Sequence, residues 1–257
     1  MRDTNPDTTE RERTAIRLEI LVVLCVTFGL SGLNAILSLI DSAAAPGGFR
    51  DRTVALNASR STQPTLDLLF QLLGVLRLAA WAALALYLLW RSGIGPRAIG
   101  FARARLRPDW LPGLGLAAVI GLPGLGLYLI AHALGFSVTI VPDALNEHWW
   151  RLPALAASAC ANAVAEEIVV VAYLITRLRA LGWSANSALA ASALLRGSYH
   201  LYQGLGGGLG NIVMGLIFGH YWQRSGRLWP LIIAHAVIDI VAYIGYGALH
   251  GRVSWLP

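Results

Sequence analysis

LPALAASACANAVAEEIVVVAYLIT, residues 152–176, is apolar for long enough to cross a bilayer, yet it carries Glu166 and Glu167 side by side. A spanning helix needs about 20 apolar residues, and a carboxylate at its centre costs about 2.5–3.5 kcal/mol on insertion scales. Two adjacent carboxylates at that depth require partners. Two later apolar segments offer them: Arg196-Gly-Ser-Tyr-His200 and His235-Ala-Val-Ile-Asp239. Glutamates on one helix and histidines on two others predict a polar site inside a membrane bundle.

Composition agrees with that class. The chain is 56% hydrophobic and 13% charged, where a soluble domain carries about 25% charged residues, and its mean hydropathy is +0.59. The apolar runs are continuous rather than alternating, which excludes an outer-membrane barrel. The expected fold is an all-α polytopic membrane protein with about seven transmembrane helices, at 16–40, 66–90, 110–134, 152–176, 184–202, 207–223 and 229–249. Residues 1–15 read as a cytoplasmic tail, and 16–134 as three amino-terminal spans. Residues 45–48, 93–96 and 224–227 carry the Gly, Pro and Ser of loops.

All twenty basic residues are arginine, and they gather in short loops. With the amino terminus inside, thirteen fall on the inner side and five on the outer, with Arg77 and Arg196 inside spans. This bias predicts a multi-pass inner or plasma membrane protein with a cytoplasmic amino terminus. The pI of about 9.8 thus reports topology and contact with membrane lipid, not a nucleic-acid partner. Cys25 and Cys160 have no paired spacing and predict no disulfide. Asp67 and Arg77 read as a buried structural pair, and His132, His148, His220 and His250 as interfacial residues. Gly206 with Gly210, and Gly215 with Gly219, have the spacing that lets helix backbones approach.

Residues four apart on a helix share a face, about 6 Å apart along the axis. Asn162 and Glu166, Arg196 and His200, and His235 and Asp239 are three such pairs on three segments. Glu166, Glu167 and Asp239 oppose only Arg196, so with neutral histidines the cluster is left with two excess negative charges. Protonation or a divalent cation would correct that in a low-dielectric interior. Two histidines and a carboxylate make an adequate set for a metal such as zinc, which would fall on Glu166, His200 and His235. The same groups without metal would hold a water for a glutamate base. A non-catalytic scaffold, regulator or immunity protein and a proton- or ion-coupled carrier are the other readings of such a cluster, although no inverted repeat supports the carrier.

Glu166-Glu167, His200 and His235-x-x-x-Asp239 together resemble the CPBP intramembrane proteases, also called the CAAX-prenyl-endopeptidase or abortive-infection family. The family pattern is Glu-Glu-x-x-x-Arg, Phe-x-x-x-His and His-x-x-x-Asn or Asp on four core helices. The likeness covers about residues 150–250 and implies a four-helix protease core there. It implies Glu166 activating water with His200, Glu167 as supporting carboxylate, and His235 and Asp239 completing the site. Asn162 and Arg196 are the expected supporting residues. The implied substrate is a peptide or a membrane-associated protein. Prenylated substrates follow only from the family name, and the lysine-free chain fits a bacterial subgroup. Val171 replaces the family arginine, Ala172 the following glycine, and Arg196 the phenylalanine. One arginine is lost and one gained, which predicts that Arg196 partners Glu167 within about 6 Å, directly or through a water. In the spans assigned above, His200 lies nearer the outer end than Glu166, which predicts that the bounds of 184–202 are wrong by several residues and that Gly204 to Gly210 belong to a loop or a broken helix end.

Overall fold

The computed structural model describes residues 6–249 and Arg252; Arg2 of the expected tail and His250 lie outside the described residues. The elements are α1 (Pro6–Val26), α2 (Phe28–Ala44), β1 (Thr53–Ala55), α3 (Pro64–Arg91), α4 (Leu106–Ala133), β2 (Thr139–Val141), α5 (Arg151–Ala180), α6 (Ala185–Ser198), α7 (Leu205–Ser225) and α8 (Trp229–Leu249). The expected all-α polytopic class holds. Among the described residues four helices (α3, α4, α5 and α8) are long and apolar enough to cross a membrane, and the α1–α2 pair makes a fifth if it is one bent span.

The expected count of about seven spans is therefore corrected in three places. Helix α1 already begins at Pro6, and the first span, 16–40, breaks at Thr27 with a bend of 53°. The Thr27 hydroxyl donates to the Val23 carbonyl at 2.7 Å, and such back-bonding bends helices. Residues 184–202 give only the 14-residue α6, with His200 beyond its end, whereas Leu205 to Gly210, expected in a loop or broken helix end, form the first turns of α7. Helix α7 has the length, at 21 residues, but its glycines, Asn211 and His220 keep it outside the apolar set.

Helix α5 is the axis of the bundle. Of its apolar window 56% is buried, against 11% for α4. Residues Ile168 to Tyr173 are enclosed on every side, as expected of a helix apolar all round. From Glu167 to Tyr173 the backbone is π-helical, a local widening that often marks functional positions. Helix α1 is fastened to α5 by Glu19, which accepts from Arg177 at 2.7 and 2.8 Å and from the Tyr173 hydroxyl at 2.9 Å.

Helices α6 and α7 approach closely along small residues. A Cβ on Gly197 would lie 2.8 Å from the Gly208 carbonyl oxygen, and one on Gly219 would lie 2.4 Å from Leu189. The two expected glycine pairs serve different faces: Gly215 and Gly219 meet α6, whereas Gly206 and Gly210 meet Ala131, Ser137 and Leu127. Ser184 begins α6 by accepting the Ser187 N–H at 3.0 Å.

A small cap closes one end. Strands β1 and β2 pair in parallel, Thr53 opposite Thr139, and Ser137 bridges to Gly204. Gly204 has φ +94°, and a Cβ there would meet the Phe136 carbonyl oxygen at 2.7 Å; this is a position for glycine alone. The turn carrying His200 thus sits under the cap. Asn57 ties the cap to α5, with its Oδ1 accepting from Ser158 at 3.3 Å.

Replacing Gly197 by alanine is expected to cost about 1–3 kcal/mol through overpacking against α7, read as a lower thermal midpoint in detergent. Gly115→Ala, where nothing lies within 4 Å of the added Cβ, should leave that midpoint unchanged.

Candidate active site

Three elements supply the polar cluster. Helix α5 gives Asn162, Glu166 and Glu167; the end of α6 gives Arg196, with Tyr199 and His200 just beyond; α8 gives His235, Asp239 and Tyr243. Adjacent glutamates point about 100° apart around an α-helix, so a single partner has to reach across both. Arg196 does so. Its Nη2 donates to Glu167 Oε1 at 2.6 Å and its Nη1 to Glu166 Oε2 at 3.3 Å. The expected partnership of Arg196 with Glu167 is a direct ion pair.

The remaining contacts spread outward from that pair. Glu166 Oε2 also accepts from the Tyr199 hydroxyl at 2.6 Å, and Oε1 accepts from Asn162 Nδ2 at 3.1 Å. The Asn162 amide reaches Asp239 Oδ2 as well, at 3.3 Å, bridging α5 to α8. His235 donates from Nδ1 to Glu167 Oε1 at 2.8 Å, while its Nε2 lies 3.6 Å from Asp239 Oδ2. Tyr243 donates to the same Asp239 oxygen at 3.4 Å. His200 Nδ1 lies 2.9 Å from the Arg196 carbonyl oxygen. A carbonyl only accepts, so the proton is on Nδ1 and, in the neutral ring, Nε2 keeps its lone pair.

All the expected residues, Glu166, Glu167, His200, His235, Asp239, Arg196 and Asn162, fall in this one region. Arg196 and Glu167 are 0% exposed, and the Arg196 guanidinium stands 5.7 Å from the centre of the Phe218 ring. Arg77, by contrast, is exposed and stacks on Trp81 at 5.4 Å. The expected Asp67–Arg77 pair is not formed: Asp67 accepts from the Arg60 N–H and from Gln71. Asp67 sits in the first turn of α3 and holds the preceding loop, whereas Arg77 lies more than two turns further on.

Tyr199 and Phe218 were not anticipated. Tyr199 lies next to His200 in the sequence, but nothing in the spacing marks it. Tyr243 was legible in principle, because it continues the four-residue series of His235 and Asp239.

The metal alternative fits this arrangement poorly. Among the described residues no group of three or more His, Cys, Asp or Glu side chains is placed to hold a metal ion. Glu166 Oε1 and, in the neutral rings, the Nε2 atoms of His200 and His235 keep lone pairs, but these side chains are not grouped closely enough to hold one ion in this arrangement.

Residues 148–241 match the family model described as type II CAAX prenyl endopeptidase Rce1-like. That match supports a likeness to the CPBP family over this segment. It contains every polar residue of the cluster except Tyr243, and it supports a CAAX-type intramembrane protease kind of function. The match spans little more than a third of the chain. No curated protein matches the chain, and no solved structure does.

Removing the Arg196 side chain leaves two buried carboxylates without their cation, and losing one partner of a buried pair costs about 3–5 kcal/mol. Arg196→Ala should therefore unfold at markedly lower temperature in detergent. Val171→Arg in that background, placing a guanidinium one turn from Glu167 on α5 itself, should recover part of the loss.

Proposed function

We propose that the chain is an intramembrane endopeptidase that hydrolyses a peptide bond of a membrane-associated protein or peptide. The supporting observation is the Glu166 carboxylate, only 3% exposed and oriented by Arg196, Tyr199 and Asn162. Its Oε1 has one protein donor and a lone pair left for water. In this reading, water is activated by Glu166 with His200, whose Nε2 lone pair is available once Nδ1 is committed to the Arg196 carbonyl.

The chemistry balances without another reagent. Glu166 takes a proton from water as the oxygen attacks the peptide carbonyl carbon, forming a tetrahedral oxyanion. His235, as the imidazolium with its Nδ1–H kept on Glu167, is the group assigned to that oxyanion through its Nε2–H. The proton passes to the leaving nitrogen as the C–N bond breaks, giving an acid and an amine. General-base catalysis of this kind contributes about 10²–10⁴-fold. Arg196, Tyr199 and Asn162 act as positioning residues, since each touches a carboxylate rather than substrate.

The arginine bias supports a cytoplasmic amino terminus in the inner or plasma membrane. With that orientation the cap and the His200 turn face the outer side. A peptide or a membrane-associated protein tail is the substrate class; nothing in the cluster selects a prenyl group.

The test is to express the wild-type chain, Glu166→Gln and His200→Ala at equal abundance and compare the new amino termini of host membrane proteins by mass spectrometry. Wild type should generate termini that both variants lose, by at least about 10²-fold in rate for Glu166→Gln. Identical fragments in all three would show a scaffold rather than a protease.

A further inference from the structure

The carboxylate base is enclosed. Glu166 is 3% exposed and His235 4% exposed, while His200 at the edge is partly exposed, yet hydrolysis brings a peptide bond to about 3–3.5 Å from the attacking atom. Some element has to move, and those around the cluster are unequally held. The ion and hydrogen-bond network locks α5, α6 and α8 together, and Glu19 fastens α1 to Tyr173 and Arg177.

Helix α2 is different. It buries only Phe28, Gly32 and Ala35, a stripe one residue wide. Its Ser31 and Ser38 hydroxyls return to its own turns, and Asp41 pairs with Arg52 in the loop that follows. That stripe lies against the turn carrying His200. A Cβ on Gly32 would meet Ser198 Oγ at 2.6 Å, and the Phe28 ring lies 4.8 Å from Tyr199 and 5.3 Å from Trp81. Both ends of α2 are jointed. Thr27 leaves the helical conformation at a 53° bend, and Gly47 and Gly48 have φ of +82° and +64°.

We propose that α2 is the access gate of the site: it pivots at Thr27 and at Gly47–Gly48, swings off the turn at Ser198–Gln203, and admits substrate to His200 and Glu166. Phe28, wedged between Trp81 and Tyr199 beside the first pivot, is the anchor. This rests on the reading of the cluster as the reacting centre.

The test locks the gate. In a chain with Cys25 and Cys160 replaced by alanine, Gly32→Cys and Ser198→Cys would form a disulfide. The added Cβ lies 3.5 Å from Ser198 Cβ, at the lower end of the disulfide range of about 3.5–4.5 Å. The probe is diethyl pyrocarbonate, which acylates accessible imidazole nitrogen, with modification of the buried His235 followed by mass spectrometry and His132 and His220 as internal references. If access depends on an open state of about 0.1–10% population, oxidation should slow His235 modification at least about tenfold and reduction should restore it. Equal rates in the oxidised and reduced protein overturn the gate.

No cleavage is needed for this measurement, so failure of the protease reading and failure of the gate are told apart. Should the cysteine pair prevent folding, nitroxides at Leu37 and Val241, both exposed, report the same motion. A broad or two-peaked distance distribution supports the gate, and a single narrow one overturns it.

Discussion

The Arg196 guanidinium lies between Glu166 and Glu167, and the rest of the bundle is arranged around that contact. Adjacent carboxylates cannot be taken out of water together without a cation, and a buried cation is equally costly alone. Enclosing all three requires helix α6 to approach α5 while α7 closes the other side. The small residues on α6 and α7 allow this: a Cβ on Gly215 would stand only 3.3 Å from Arg196 Cδ. Phe218 then covers the guanidinium face. Within lipid, where helices gain little from apolar contact, such packing and polar pairing carry the association.

Polar residues in apolar runs made much of the site legible. Each of Glu166, Glu167, Arg196, His200, His235 and Asp239 is expensive in lipid, so their common region could be inferred from cost before any geometry was known. Tyr199 and Phe218 carry no such signal, because aromatic residues are at home in a membrane and their roles depend on where the chain turns. The span count was misread for a related reason. Hydropathy does not record the hydroxyl of Thr27 turning back on Val23, nor the need for glycine at position 204 where the chain passes Phe136. One break is set by a side-chain hydroxyl on a carbonyl and the other by a close backbone approach, and both adjoin the site.

The division of labour along the chain follows from this. The segment that matches a known family supplies nearly all the polar chemistry. Residues 6–147, without a motif, supply the wall, the cap and the fastening of α1. Phe28 reaches Tyr199, Asn57 reaches Ser158, and Glu19 reaches Arg177. Residues that act by shape and attachment leave little pattern in a sequence, whereas residues that act by charge leave an obvious one.

An arginine at position 196 organises more than one at position 171 would. At position 171 it would sit one turn from Glu167 on the same helix, and its ion pair would brace α5 against itself. At position 196 the pair crosses from α5 to α6 and joins two helices. The same residue also presents its carbonyl oxygen to His200 Nδ1 at 2.9 Å, leaving the Nε2 lone pair of the neutral ring available. The Arg196 side chain thus holds both glutamates while its main chain holds the histidine. Any displacement of α6 relative to α5 would disturb the carboxylates and the imidazole together, so helix register, not side-chain identity alone, is the quantity that keeps the site assembled.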